Sequence, residues 1–202
     1  MGDEIVDISI HQKREYIVFT AIDLIHENGI HNVSTKEIAR RLGISEGSVF
    51  KSYPKKDDLL MAVLERFSMY DDDMYRTASD RNTNPIEAIY FFINQYLAYC
   101  ENYPAITSLF QVNDALKGHP ELDNKLNEIH SRRQESMKRF ITKAQEVALI
   151  DVSSDPDLIV DIINSIIKGM IAKWRVMNYQ FSVQKRTYDA IKLLLESLQK
   201  IN

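Results

Sequence analysis

Apolar residues recur along this chain at steps of three and four, the period of an α-helix, and no stretch alternates like a strand. Ile17, Ala21, Leu24 and Ile25 fall at i, i+4, i+7 and i+8 and predict a first helix that Gly29 ends. Ser34-x-x-Glu37 spells a capping box and starts a second helix that stops at Gly43. Ser45 caps a third short helix, closed by Pro54. Asp57 and Asp58 suit the positive end of a fourth, which runs through Leu59, Leu60, Val63, Leu64 and Phe67 to about Tyr75. Residues 79–84 read as a polar loop, and Pro85 as the first turn of a helix that breaks before Pro104. Further helices are expected over 105–117, 121–147, 157–178 and 183–201, separated by Gly118-His119-Pro120, by the loop 151–156 and by a final turn. The expected fold is all-α, with a three-helix domain over 1–56 and a helical domain over 57–202.

Composition narrows the classes. Six glycines and five prolines are too few for a turn-rich β fold. Cys100 stands alone, so it makes neither a disulfide framework nor a cysteine zinc site, and a buried structural thiol is expected. The five histidines lack acids at ligand spacing, and neither a nucleophile elbow nor a phosphate-cradling glycine loop occurs. No enzymatic activity, metal or cofactor is expected. Asp71-Asp72-Asp73 reads as a solvated helix face. The apolar stretch 158–174 is broken by Asp161, Asn164, Lys168 and Lys173, which argues against a membrane span. The acidic start, Met1-Gly2-Asp3-Glu4, does not resemble a secretion signal, and a cytoplasmic location is expected.

The chemistry concentrates in residues 34–56. Ala39, Gly43 and Val49 have the spacing of a helix-turn-helix: a small residue at the crossing, a turn glycine and an apolar lock. The same stretch holds six basic residues, Lys36, Arg40, Arg41, Lys51, Lys55 and Lys56, against Glu37 and Glu46. That local +4 lies in a chain of net charge -4 and suits phosphate contact.

The surrounding residues resemble the TetR family of transcriptional regulators. The likeness rests on Ile38-Ala39, Gly43-Ile44-Ser45, Gly47-Ser48-Val49-Phe50, Tyr53-Pro54, Lys56 and Leu59-Leu60, with Arg14, Ile17, Ala21, Leu24 and Gly29 before them. It covers about residues 13–65; beyond that, only helix rhythm agrees. The resemblance implies that Thr35 and Lys56 contact phosphates, that Lys36, Glu46, Gly47, Ser48 and Phe50 face the groove, and that Lys51 and Ser52 follow its edge. Ser45 and Lys55 complete the implied DNA-binding set. Phe50 and Ser52 depart from the family's usual tyrosine and histidine, which removes two backbone anchors. Phe50 is open to two readings, base contact or core packing; Glu46 either accepts from a cytosine amine or serves the helix dipole.

The resemblance also implies a homodimer on double-stranded operator DNA, with a hydrophobic small-molecule ligand and a repressor's release from the operator. The aromatic cluster suggests where that ligand enters: Phe67, Tyr70, Phe92, Tyr96, Tyr99, Tyr103 and Phe110, faced by Met137, Phe140, Ile141, Met170 and Trp174. Leu158, Ile162 and Ile166, with Ile191, Leu194, Leu195 and Leu198, form apolar stripes on the last two helices, the expected dimer interface. The alternative function is a DNA-binding regulator with no small ligand, either constitutive or controlled by a protein partner.

Overall fold

The computed structural model describes residues 10–81 and 84–199. These form helices α1 (Ile10–Asn28), α2 (Thr35–Leu42), α3 (Glu46–Ser52), α4 (Lys56–Ser68), α5 (Asp71–Arg81), α6 (Pro85–Asn102), α7 (Asn113–Leu116), α8 (Pro120–Glu146), α9 (Pro156–Val176) and α10 (Val183–Ser197). Two short 3-10 turns, Ile30–Asn32 and Pro104–Gln111, join them. No strand occurs among the described residues. Residues 1–4, Asn82 and Thr83 of the polar loop, and residues 200–201 of the expected last helix lie outside the described residues; within them α10 already ends at Ser197.

The chain divides into two compact units. One takes the chain up to Ser68 together with Ser108–Leu126; the other takes Met69–Thr107 and the chain from Asn127 onward. In the first, the stripe of Ile17, Ala21, Leu24 and Ile25 is buried against α2 and α4. In the second, α10 packs on α6 and α9, and α5 packs on α6.

Four expectations change. The fourth helix does not run to Tyr75: α4 ends at Ser68 and α5 starts at Asp71. The aspartate triplet explains the break, because three carboxylates at a helix N-terminus favour starting a helix there. Nor is the triplet simply a solvated face. Asp71 is buried and accepts two hydrogen bonds from Arg133, at 2.7 and 3.2 Å. The expected helix over 105–117 is a 3-10 stretch followed by the single turn of α7. The expected loop at 79–84 also shrinks, since Ser79–Arg81 complete α5. Cys100 is buried as expected, and burial pushes its thiol up to about 12.

Candidate DNA-reading face

The helix-turn-helix is built from caps. The Ser34 hydroxyl accepts the Glu37 amide at 3.2 Å. Gly43 adopts the left-handed conformation, φ 63°, and the amides of Gly43 and Ile44 both return to the Ala39 carbonyl. Ser45 caps α3 by accepting the Ser48 amide at 3.2 Å. Ile38, Ala39 and Val49 are buried where the two helices cross. The Arg14 guanidinium donates to the Ser52 carbonyl at 2.6 Å and lies 4.3 Å over the Tyr53 ring, fixing the end of α3 to α1.

The capping box is half formed. Glu37 gives its amide to Ser34, but its carboxylate takes Arg40 (2.7 and 2.8 Å) and Arg41 (3.0 Å). Those guanidiniums hold the Glu37 carboxyl at about 2. Arg41 also pairs with Glu27 through both carboxylate oxygens. Two of the six basic residues therefore serve the domain's own surface network. Lys36, Lys51, Lys55 and Lys56 are exposed, and none pairs with a carboxylate among the described residues. Lys56 reaches the His31 carbonyl at 3.1 Å.

Helix α3 turns Glu46, Gly47, Phe50 and Lys51 outward, while Val49 points in and Ser48 and Ser52 are half-buried. Phe50 is 59% exposed, which rules out the core-packing reading of this residue in the chain. Glu46 is not idle: its carboxylate accepts the Thr35 hydroxyl at 2.6 Å, across the two helices. Thr35 must give up that bond before its hydroxyl can donate to a phosphate. Ser45 is exposed but spends its side chain on the Ser48 amide and hydroxyl.

The aromatic residues expected around a ligand separate into groups. Phe67 and Phe110 belong to the first unit and meet edge-on at 5.2 Å. In the second unit, Phe92 stacks on Tyr96 (5.7 Å) and on Tyr75 (4.0 Å), and Tyr75 also touches Phe140 (6.1 Å). Tyr70, Tyr99 and Tyr103 form a second chain of rings at 5.6 and 6.4 Å. Met137, Ile141 and Trp174 are buried and Met170 is half-buried. The Trp174 ring meets Tyr179 edge-on at 4.7 Å, and its buried Nε1–H has no acceptor among the described residues. Tyr75, Asp71 and Arg133 were missed in the sequence. Arg133 was open to detection, because it occupies the register of Ile129, Met137 and Phe140 on α8, an apolar stripe interrupted by one charge.

On the last helices, Leu158 is 58% and Ile162 38% exposed, while Ile166, Leu194 and Leu198 are half-buried. Ile191 and Leu195 are 0% exposed. α10 turns these two into the protomer's own core, and leaves Leu194 and Leu198 nearer the surface.

Comparison with known proteins agrees with this geometry. The sequence profile described as "Bacterial regulatory proteins, tetR family" matches residues 17–63. The "Fatty acid metabolism regulator protein" of Bacillus subtilis is 21% identical over 186 residues, 90% of this chain and 93% of that protein. The nucleoid occlusion factor SlmA of Glaesserella parasuis is 26% identical over 102 residues; the match spans 50% of this chain and 50% of the relative's length. Among solved structures, the transcriptional regulator FadR from Bacillus subtilis in complex with stearoyl-CoA superimposes with a TM-score of 0.78 at 18% identity, covering 92% of this chain and 99% of that one. No helix among the described residues is long and apolar enough to cross a membrane. With the helix-turn-helix caps in place, residues 17–63 match the tetR family of bacterial regulatory proteins, and the chain shares the all-helical fold of FadR.

Proposed function

We propose that this protein is a cytoplasmic repressor that binds a near-palindromic operator as a homodimer and releases it when a lipophilic or aromatic small molecule binds. The observation that carries the reading is the outward face of α3, where an apolar ring 59% exposed stands beside Gly47 and Lys51. A large apolar side chain left in water next to a lysine is unfavourable on its own and well suited to a thymine methyl at the floor of the major groove. Thr35 and Lys56 meet phosphates, Lys36 and Ser48 face the groove, and Lys51 and Ser52 follow its edge, with Lys55 beside them. Glu46, oriented by Thr35, accepts from a cytosine amine. Two such faces related by a twofold axis contact half-sites about 34–36 Å apart, or a multiple of that. Residues 1–56 carry this work, and 57–202 hold the ligand and the partner protomer.

A hydrophobic ligand is supported by the aromatic chains of the second unit and by the unmatched Trp174 donor, which calls for an acceptor. It is also supported by relatives named for fatty acid metabolism and solved with stearoyl-CoA. The unliganded alternative draws on the same rings: Phe92, Tyr96 and Phe140 are at most 6% exposed, close to a filled core. Screening hydrophobic compounds by Trp174 emission, with operator affinity measured for each hit, separates the two. Hits that quench Trp174 and weaken operator binding support release; hits that leave affinity unchanged favour the alternative.

The DNA reading has its own test. Lys56→Ala is expected to weaken binding to all sequences and to reduce the slope of log affinity against log salt by about one. Phe50→Ala is expected to cost about 1–3 kcal/mol on the preferred site and to relax specificity at one base pair without changing that slope. If the wild-type chain shows no affinity at low salt for any member of a random DNA library, the repressor reading fails.

A further inference from the structure

Helices α5 and α8 enclose a half-open groove of about 370 Å³, within the roughly 300–1,000 Å³ typical of small-molecule sites. A second hollow of about 260 Å³ shares Ser79, Phe140 and Lys143 with it and continues toward Pro85 and Ala88. Tyr75 and Phe140, both almost fully buried, are the apolar lining of the larger groove. Around them stand three cations, Arg76, Arg139 and Lys143, and two carboxylates, Asp72 and Asp80. Asp72 is already faced by Arg132 at 3.6 Å. The carboxylates paired with Arg76 and Arg139 are Asp73 (2.6 Å) and Glu135 (3.7 Å), one turn away on their own helices and outside the groove. Pairs this exposed hold a guanidinium weakly and yield readily to a better anion. Lys143 has no carboxylate partner among the described residues.

We propose that this groove binds the anionic headgroup of a small amphiphile, with Arg76, Arg139 and Lys143 taking the charge. The ligand's apolar part lies along Tyr75 and Phe140. A purely apolar ligand would strip water from three cations and give nothing in return. A cationic ligand would meet three like charges. An amphiphilic anion satisfies both parts of the groove, and planar guanidiniums grip a carboxylate or phosphate with paired hydrogen bonds. The proposal rests on the ligand-responsive reading above, and it narrows the ligand from any hydrophobic molecule to one carrying an anionic group.

The test titrates the full chain with decyl phosphate, decanoate and decanol below their micelle concentrations by calorimetry, with operator affinity measured in parallel. The two anions are expected to bind at least roughly tenfold more tightly than decanol. Arg139→Glu combined with Lys143→Glu changes two exposed residues; it should weaken the anions roughly 10–100-fold and leave decanol and the thermal midpoint unchanged. Equal binding of decanol and the anions, or anion binding indifferent to the double substitution, overturns the proposal. So does binding to phosphatidylglycerol vesicles without binding to monomeric decyl phosphate. Charge-dependent binding that leaves operator affinity untouched upholds the groove and retires ligand-driven release.

Discussion

Arg133→Met is expected to destabilise the protein by about 3–5 kcal/mol, the cost of leaving one member of a buried ion pair without its partner. Against a total stability of roughly 5–15 kcal/mol, that is enough to threaten folding at physiological temperature. The carboxylate left behind is Asp71, whose side chain is 3% exposed. Burial already pushes the Asp71 carboxyl above its ordinary range, and Arg133 opposes that push. Without Arg133 only the charge of Arg132 still opposes the push, so Asp71 folds most readily when protonated. The sign follows: a carboxyl whose folded pKa lies above its unfolded one binds protons on folding, and stability rises as pH falls. Urea denaturation of the variant should therefore recover stability between about pH 7 and pH 5, where the unfolded carboxyl remains largely ionised. Asp71→Leu combined with Arg133→Met removes both charges and should regain most of the loss, since apolar replacement of a buried pair is often neutral or better. A single variant within about 1 kcal/mol of wild type would show that water reaches the pair and that it contributes no more than a surface contact.

That pair marks where the sequence stops being readable. Residues 13–65 were legible because each local cue acts on its neighbours: Ser34 and Ser45 cap the amides three residues on, and Gly43 takes the positive φ that only a turn residue accepts readily. The first helix's stripe is buried in the predicted register. The same locality misleads at the triplet 71–73. Three adjacent aspartates look solvated until a residue 62 positions away is known to face one of them. Glu37 fails as a capping partner for a related reason: Arg40 and Arg41, on the next turn, compete for its carboxylate. On α10, periodicity identified the apolar stripe but not its destination. A stripe facing its own protomer and a stripe facing a second copy have the same period, and only the fold separates Ile191 and Leu195 from Leu194 and Leu198. Phe50 resolves the opposite way, because a short helix with one buried position, Val49, leaves its other large side chain outside.

The division of those stripes predicts a contrast. Leu158→Asp combined with Ile162→Asp is expected to give a folded monomer with almost no operator binding. Both positions are exposed in the protomer, so the charges cost little there. In the proposed dimer they would be trapped unpaired between apolar helices, a far larger penalty. Ile191→Asp, by contrast, puts a charge at a position that is 0% exposed and should unfold the protomer itself. The loss of DNA affinity in the monomer follows from valency. With two recognition helices held together, the second half-site binds at an effective concentration that multiplies affinity by about 10²–10⁴; a monomer forfeits that factor. It should retain salt-dependent, nonspecific binding through Lys36, Lys51, Lys55 and Lys56, because those contacts do not need a partner. Sedimentation velocity at micromolar concentration, circular dichroism and operator titration together read out the three states. Two results would reject the α9 stripe as the contact surface: a double variant that still sediments as a dimer, or a wild-type chain that sediments as a monomer and binds its operator tightly all the same. In either case the exposed Leu158 and Ile162 would need another partner, and the twofold spacing of half-sites would have to come from a different face of the molecule.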